Sequence, residues 1–291
     1  MNKSKINDLA DNVYVLNLEK DSFKYDILKR KLNQKNIHHE RFVGVDGWDG
    51  CRSPDKTVES FIKILDGYRD SGLYEPIREK GAHIVAHGWG AYRSAGAMGC
   101  VLSHLKIFKD AIENKYKKIL LLQDDIYFHN QFEELLEERE EQIKRSSIFY
   151  LGATEHAGWM KNDWHWRNPH WSRKHHKLGY YNTTDSSLGM FAVIIDKKIF
   201  SPFIKLVEFE LLACDQALAL LGTKGFAGES FVSYPNLIMP DTTYSNTSSD
   251  VAGGRSFHDG NTWRDFGKWS IEQGWDYNYY DLSERYYTTE K

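Results

Sequence analysis

Lys118-Ile119-Leu120-Leu121-Leu122-Gln123-Asp124-Asp125-Ile126-Tyr127-Phe128 is the stretch that decides how the chain is read. An apolar run of strand length stops at two adjacent carboxylates and resumes just beyond them. Such an unbroken run reads as a strand covered on both faces of its sheet. Open α/β sheets take ligands at the carboxyl ends of their strands. The two Asp residues therefore fall where a metal and a phosphate-bearing ligand would sit. Neighbouring charges there repel unless a cation or hydrogen-bond donors offset them. The pair also reads as a solvated turn whose Asp side chains cap the next helix. Taken alone, the segment leaves both readings open.

Working outward, strand and helix patterns alternate. Residues 13–18 read as a strand. Phe23, Ile27, Leu28 and Leu32 give residues 22–33 helical spacing. A second strand, around 40–45, runs into Asp46-Gly47, and Val58, Phe61, Ile62 and Leu65 share one helical face. Val101, Leu105, Phe108 and Ile112 mark a further helix and place Ser103-His104 near its N-terminus. Ser146 to Gly152 is the next strand. The alternation argues an α/β sheet with helices on both faces. The acidic run 133–141 reads as the solvated face of a surface helix. Residues 155–180 form a long polar and aromatic insert, of a length that is usually functional or disordered.

Composition narrows the classes. The 291 residues have room for one large domain or two small ones. Basic and acidic residues nearly balance, 38 against 41, so nothing points to nucleic acid or an anionic membrane surface. Cys51, Cys100 and Cys214 are odd in number and far apart, which argues against a disulfide framework or a zinc knuckle. The first residues lack the apolar core of a signal peptide, and no stretch reaches the ~18 apolar residues of a bilayer span. These features make a reducing cytoplasm the expected location.

Several pieces recur in a fixed order: Val13-Tyr14-Val15-Leu16-Asn17-Leu18, Arg41-Phe42-Val43-Gly44-Val45-Asp46-Gly47, Gly99-Cys100-Val101-Leu102-Ser103-His104, and then the strand with paired Asp. Downstream lie Leu188-Gly189-Met190-Phe191, Cys214-Asp215-Gln216 and Tyr234-Pro235-Asn236-Leu237 followed by Ser245-Asn246-Thr247. This set resembles glycosyltransferase family 25, which includes bacterial lipooligosaccharide and procollagen galactosyltransferases. The resemblance implies a single-domain GT-A glycosyltransferase fold, α/β with a mixed, mostly parallel sheet flanked by helices. It places that domain at residues 8–248, with residues 249–291 as a C-terminal segment packed on it.

The resemblance also implies an activity: a metal-dependent, inverting hexosyltransferase moving galactose or glucose from a UDP-sugar to a hydroxyl acceptor. That acceptor would be a glycan, lipid-linked or collagen-like. By the resemblance Asp125 is a ligand of Mn²⁺ or Mg²⁺ and Asp124 binds the donor. Gln123 stands where the family usually has an acidic residue; its carbonyl can still ligate, without charge. Asn17, Leu18, Asp46 and Gly47 are expected around the base and ribose, and Ser103 and His104 at the diphosphate. His258 is a candidate third metal ligand. Asp215, the only acid in the apolar run 211–221, is expected to have a raised pKa and to act as general base; Asp185 is a second candidate. Trp164, Trp166 and Trp171 offer flat faces for an acceptor sugar. Gln123 also keeps open a different class, a catalytically weak sugar-nucleotide or glycan-binding protein that retains the fold.

Overall fold

The structure, a computed structural model, describes residues 4–47, 95–155, 179–183, 187–210, 213–223, 228–241 and 277–286. A seven-stranded sheet organises them. In chain order its strands are β1 (Asn12–Asn17), β2 (Glu40–Val43), β3 (Lys118–Gln123), β5 (Ile148–Tyr150), β7 (Tyr180–Asn182), β9 (Ala192–Asp196) and β10 (Ser230–Ser233). Across the sheet the order is β2-β1-β3-β9-β5-β10-β7. Strands β1, β2 and β3 are mutually parallel, β9 runs against β3 and β5, β10 is parallel to β5, and β7 is antiparallel at the edge. Five strands thus point one way and two the other, a mixed, mostly parallel α/β sheet.

The apolar run in β3 is continuous because both of its faces are covered. Ile119 and Leu121 face one core with Tyr14, Val193 and Ile195. There they meet α3 (Ala95–Glu113) and α6 (Lys197–Glu210) through Leu105, Phe108, Phe200 and Phe203. Leu120 and Leu122 face the second core with Val13, Val15 and Ile194. Leu28 and Leu32 of α2 (Ser22–Gln34) close that side, with Phe132 and Leu136 of α4 (Phe132–Glu138). Alternate side chains of one strand feed two cores, as the pleat requires.

The expected strand 146–152 is shorter, Ile148–Tyr150. The acidic run forms two helices, α4 and α5 (Glu140–Arg145), hinged at Arg139. That residue is 3% exposed and donates to the carbonyls of Gly179, Tyr234 and Leu135, so the run carries one buried anchor among its solvated acids. A small ladder pairs β4 (Ile126–Phe128) with β11 (Ile238–Pro240), another pairs β6 (Thr154–Glu155) with β8 (Ser187–Leu188), and the short helix α1 (Ile6–Leu9) adds Ile6 and Leu9 to the second core. Residues 277–286 lie beside it: Tyr280 donates to the Asn236 carbonyl and Tyr286 to that of Ile126. Among the described residues no helix is long and apolar enough to cross a membrane, and Cys100 and Cys214 are free thiols.

The close passage of β11 over the end of β5 depends on Gly152. A Cβ there would lie 1.9 Å from the Ile238 carbonyl oxygen. Backbone cannot step aside cheaply, so Gly152→Ala should destabilise the protein by about 2 kcal/mol, within the overpacking range. The check is the urea midpoint at unchanged m-value.

Candidate active site

The carboxyl ends of β1, β2 and β3 emerge at one edge of the sheet, since all three are parallel. The register sets Leu16 of β1 opposite Gln123 of β3, so Asn17 meets the residue after the strand. The Asn17 amide donates to Asp124 Oδ2 at 2.5 Å and to the Asp21 carbonyl at 3.0 Å. Its Oδ1 accepts two bonds from the Arg41 guanidinium, at 2.9 and 2.6 Å. Because Arg41 can only donate, it fixes which end of the amide faces Asp124. Asn17 is expected from the sequence at the nucleotide base; its amide is instead engaged in holding Asp124.

Asp124 and Asp125 are both pushed above the usual carboxylate range, chiefly by burial. Lys24 is the largest opposing influence on each, and Asp125 rises to about 8. The Lys24 ammonium lies 3.9 Å from Asp125 Oδ2 and 3.8 Å from Asp21 Oδ2. The β4–β11 ladder brings in another acid: Asp241 N–H donates to the Asp125 carbonyl at 2.6 Å, and Tyr127 hydroxyl donates to Asp241 Oδ2 at 2.8 Å. Gln123 sits half-buried at the end of β3 with its N–H on the Phe191 carbonyl.

Ser103 and His104 are not at a helix N-terminus. Helix α3 already includes Ala95, so the glycine and alanine turn before them is helical, and they stand at its middle. The Ser103 hydroxyl donates to the Gly99 carbonyl and accepts the Val45 N–H at 2.8 Å. It thereby pins the Val45-Asp46-Gly47 turn to α3. Gly99 permits this approach, since a Cβ there would lie 2.5 Å from Gly47 N. His104 Nδ1 bonds the Cys100 carbonyl at 2.7 Å, while Nε2 is buried without a partner among the described residues. Burial pushes its pKa down to about 4, so in the ligand-free chain the ring is neutral at pH 7. Asp46 pairs with Lys20 at 2.9 Å, and the Leu18 carbonyl accepts the Asp21 N–H.

Asp215 lies in the first turn of the mostly apolar helix α7 (Cys214–Thr223). Its Oδ1 accepts the Gln216 N–H at 2.8 Å. Burial raises its pKa, and backbone N–H groups of Gln216, Asp215 and Gly189 pull it partly back. Gly189 closely precedes Phe191, whose carbonyl meets Gln123, so Asp215 belongs to the same edge of the sheet as the Asp pair. Asp185, His258, Trp164, Trp166 and Trp171 lie outside the described residues, as does the helix expected around Val58.

Sequence reading missed Lys24, Asp21, Arg41 and Asp241. Two of them left a signal. Lys24 shares the helical face of Leu28, Lys31 and Leu32, all four buried, so it is a cation on an apolar stripe. Asp241 follows Ile238-Met239-Pro240 as Asp124 follows β3, a second apolar strand ending in a carboxylate.

A carboxylate with a raised folded pKa favours the fold most below its unfolded pKa and loses that contribution as pH rises through the folded value. For Asp125 the window runs from about 3.8 to about 8. Asp125→Asn in chelator-treated protein should therefore gain stability over the parent as pH rises from 4 to 8. The gain should be level above 8 and amount to about 2–4 °C in Tm or more. Thermal melts across that range test it; a gain independent of pH would contradict the assignment.

Comparison with known proteins adds an independent finding. The family model described as glycosyltransferase family 25 (LPS biosynthesis protein) matches residues 10–218. Procollagen galactosyltransferase 2 of Mus musculus is 27% identical over 146 residues, 49% of this chain and 20% of that protein. A glycosyltransferase 25 family member of Drosophila melanogaster is 26% identical over 130 residues, 45% of this chain and 18% of that protein. Procollagen galactosyltransferase 1 of Danio rerio is 23% identical over 146 residues, 49% and 21% of the two chains. The matched stretch is thus about a fifth of the length of these relatives.

Proposed function

The chain belongs to glycosyltransferase family 25, and from that premise we propose that it transfers a hexose from a UDP-sugar to a hydroxyl acceptor, with inversion. The acceptor class is a glycan, lipid-linked or collagen-like. The names of the procollagen galactosyltransferases favour galactose over glucose as the sugar. One observation carries the reading: Asp124, held by Asn17, and Asp125, beside Lys24, stand at the carboxyl end of a central strand. Such strand-end edges are where open α/β sheets bind ligands.

The donor set fits Mn²⁺ or Mg²⁺ of one kind. Among the described residues no three His, Cys, Asp or Glu side chains gather as a ready ligand set. Mg²⁺ is commonly held by one or two carboxylates together with substrate phosphates. Asp125 with the Gln123 carbonyl suits that arrangement, and His258 remains a candidate third ligand. A bound ion would supply charge neutralisation to the departing diphosphate. Asp124, held by Asn17, presents its carboxylate to the donor hydroxyls. Asp215 accepts the proton of the acceptor hydroxyl as that oxygen attacks the anomeric carbon and the bond to the diphosphate breaks. Burial raises its pKa, which strengthens it as a proton acceptor relative to an exposed Asp.

Thermal shift with UDP, GDP, CMP and ADP tests the donor, with stabilisation by UDP expected. Stabilisation by GDP or CMP and none by UDP would discard it. Asp125→Asn should lose metal-stimulated turnover while remaining folded, and activity undiminished by a chelator would rule the metal out. Asp215→Asn should lower transfer by about 10²–10⁴-fold, the usual range for loss of a general base, with UDP affinity nearly unchanged. Lost UDP affinity with intact transfer would move Asp215 to the donor pocket.

A further inference from the structure

Lys24 is placed against two ordinary preferences at once. It lies in the first turn of α2, where the helix dipole favours anions over cations. It is also only 3% exposed, and lysine is almost never fully buried unless paired. Neither feature is explained by the helix itself. Both are explained by what the side chain faces: Asp21 Oδ2 at 3.8 Å and Asp125 Oδ2 at 3.9 Å, with Asp124 beyond them.

We infer that Lys24 is a resident counter-cation of these carboxylates that makes divalent-cation binding conditional on the sugar-nucleotide donor. The inference rests on the donor reading above. Its physical basis is charge at short range. A divalent ion entering on Asp125 meets the ammonium already beside that carboxylate, and like charges a few ångströms apart inside a protein repel strongly. The donor diphosphate brings negative charge of its own, which lets both cations remain. At 3.8 and 3.9 Å the ammonium is within ion-pair reach of both carboxylates, near enough to set the field that an ion on Asp125 meets. Lys24 acts on the ion through the field it sets, so it is a specificity-determining residue rather than a ligand. Gln123 has the same consequence, because a neutral residue beside Asp125 leaves the ion fewer charges to bind when the donor is absent.

Coupling between two ligands is reciprocal and is measurable without turnover. The experiment is calorimetric titration of Mn²⁺ into the full chain, with and without saturating UDP. In the unaltered protein UDP should tighten Mn²⁺ by roughly tenfold or more, within the usual range of such couplings. Lys24→Met keeps the length and removes the charge. It should bind Mn²⁺ more tightly without UDP and show a coupling several-fold smaller, the remainder coming from phosphate ligation and from Gln123, while Lys24→Arg should keep the full coupling. If Lys24→Met does not fold, Lys24→Gln makes the same comparison, and the unaltered protein decides by itself. UDP binding with no change in Mn²⁺ affinity would overturn the inference alone, as would full coupling in Lys24→Met or coupling lost equally in Lys24→Arg. Failure of the unaltered protein to bind UDP would overturn the donor reading and this inference with it.

Discussion

Two acidic groups buried at the end of β3 are the constraint on which the rest of the site depends. Two carboxylates follow directly on a strand whose neighbours are Ile, Leu and Val, and each is raised mainly by burial. Carboxylates in that position persist only if nearby groups hold them. The fold supplies those groups from separate elements: an amide from β1, an ammonium from α2, and a guanidinium from β2 that locks the amide. Their convergence follows from three parallel strands ending at one edge and from the helix that joins the first two.

The surrounding packing keeps that edge in place. Gly99 and Ser103 draw α3 onto the Asp46-Gly47 turn, so the second strand end cannot drift from the first. Gly152 lets β11 cross closely, and β11 delivers Asp241 to the Asp125 backbone. Residues 277–286 buttress the same place. Tyr286 donates through its hydroxyl to Ile126, and its N–H meets the Tyr127 hydroxyl that bonds Asp241. Lys31 reaches the Asp281 and Glu284 carbonyls while lying over the Tyr127 ring, at 4.7 Å from its centre. A buried polar network of this kind is stabilising only when its members are satisfied, and here they are satisfied largely by one another.

Family membership and geometry meet at the strand ends but divide labour among the motif residues. The Asn-Leu and Gly-Cys-x-x-Ser-His motifs read as ligand contacts when seen in one dimension. In three dimensions Asn17 orients Asp124, Ser103 fixes a turn, and His104 is a neutral ring inside a helix. In this chain Asn17 and Ser103 thus hold other parts of the site through contacts within the protein.

The sequence by itself determined the fold class and the presence of two adjacent acids at a strand end. Apolar runs of strand length alternating with amphipathic helices leave little but a covered α/β sheet, and a run that stops at Asp-Asp marks one strand's ligand end. These are local signals, set by the periodicity of the chain. Tertiary structure alone decided what stands around the Asp pair. Lys24, Arg41 and Asp241 are separated from it by about 80–120 positions and arrive through strand register and helix packing, which no local pattern encodes. The same reason explains Ser103 and Asp215. Where a helix begins is settled by the partners of its first turn, and apolar spacing continues on either side of that point without recording it.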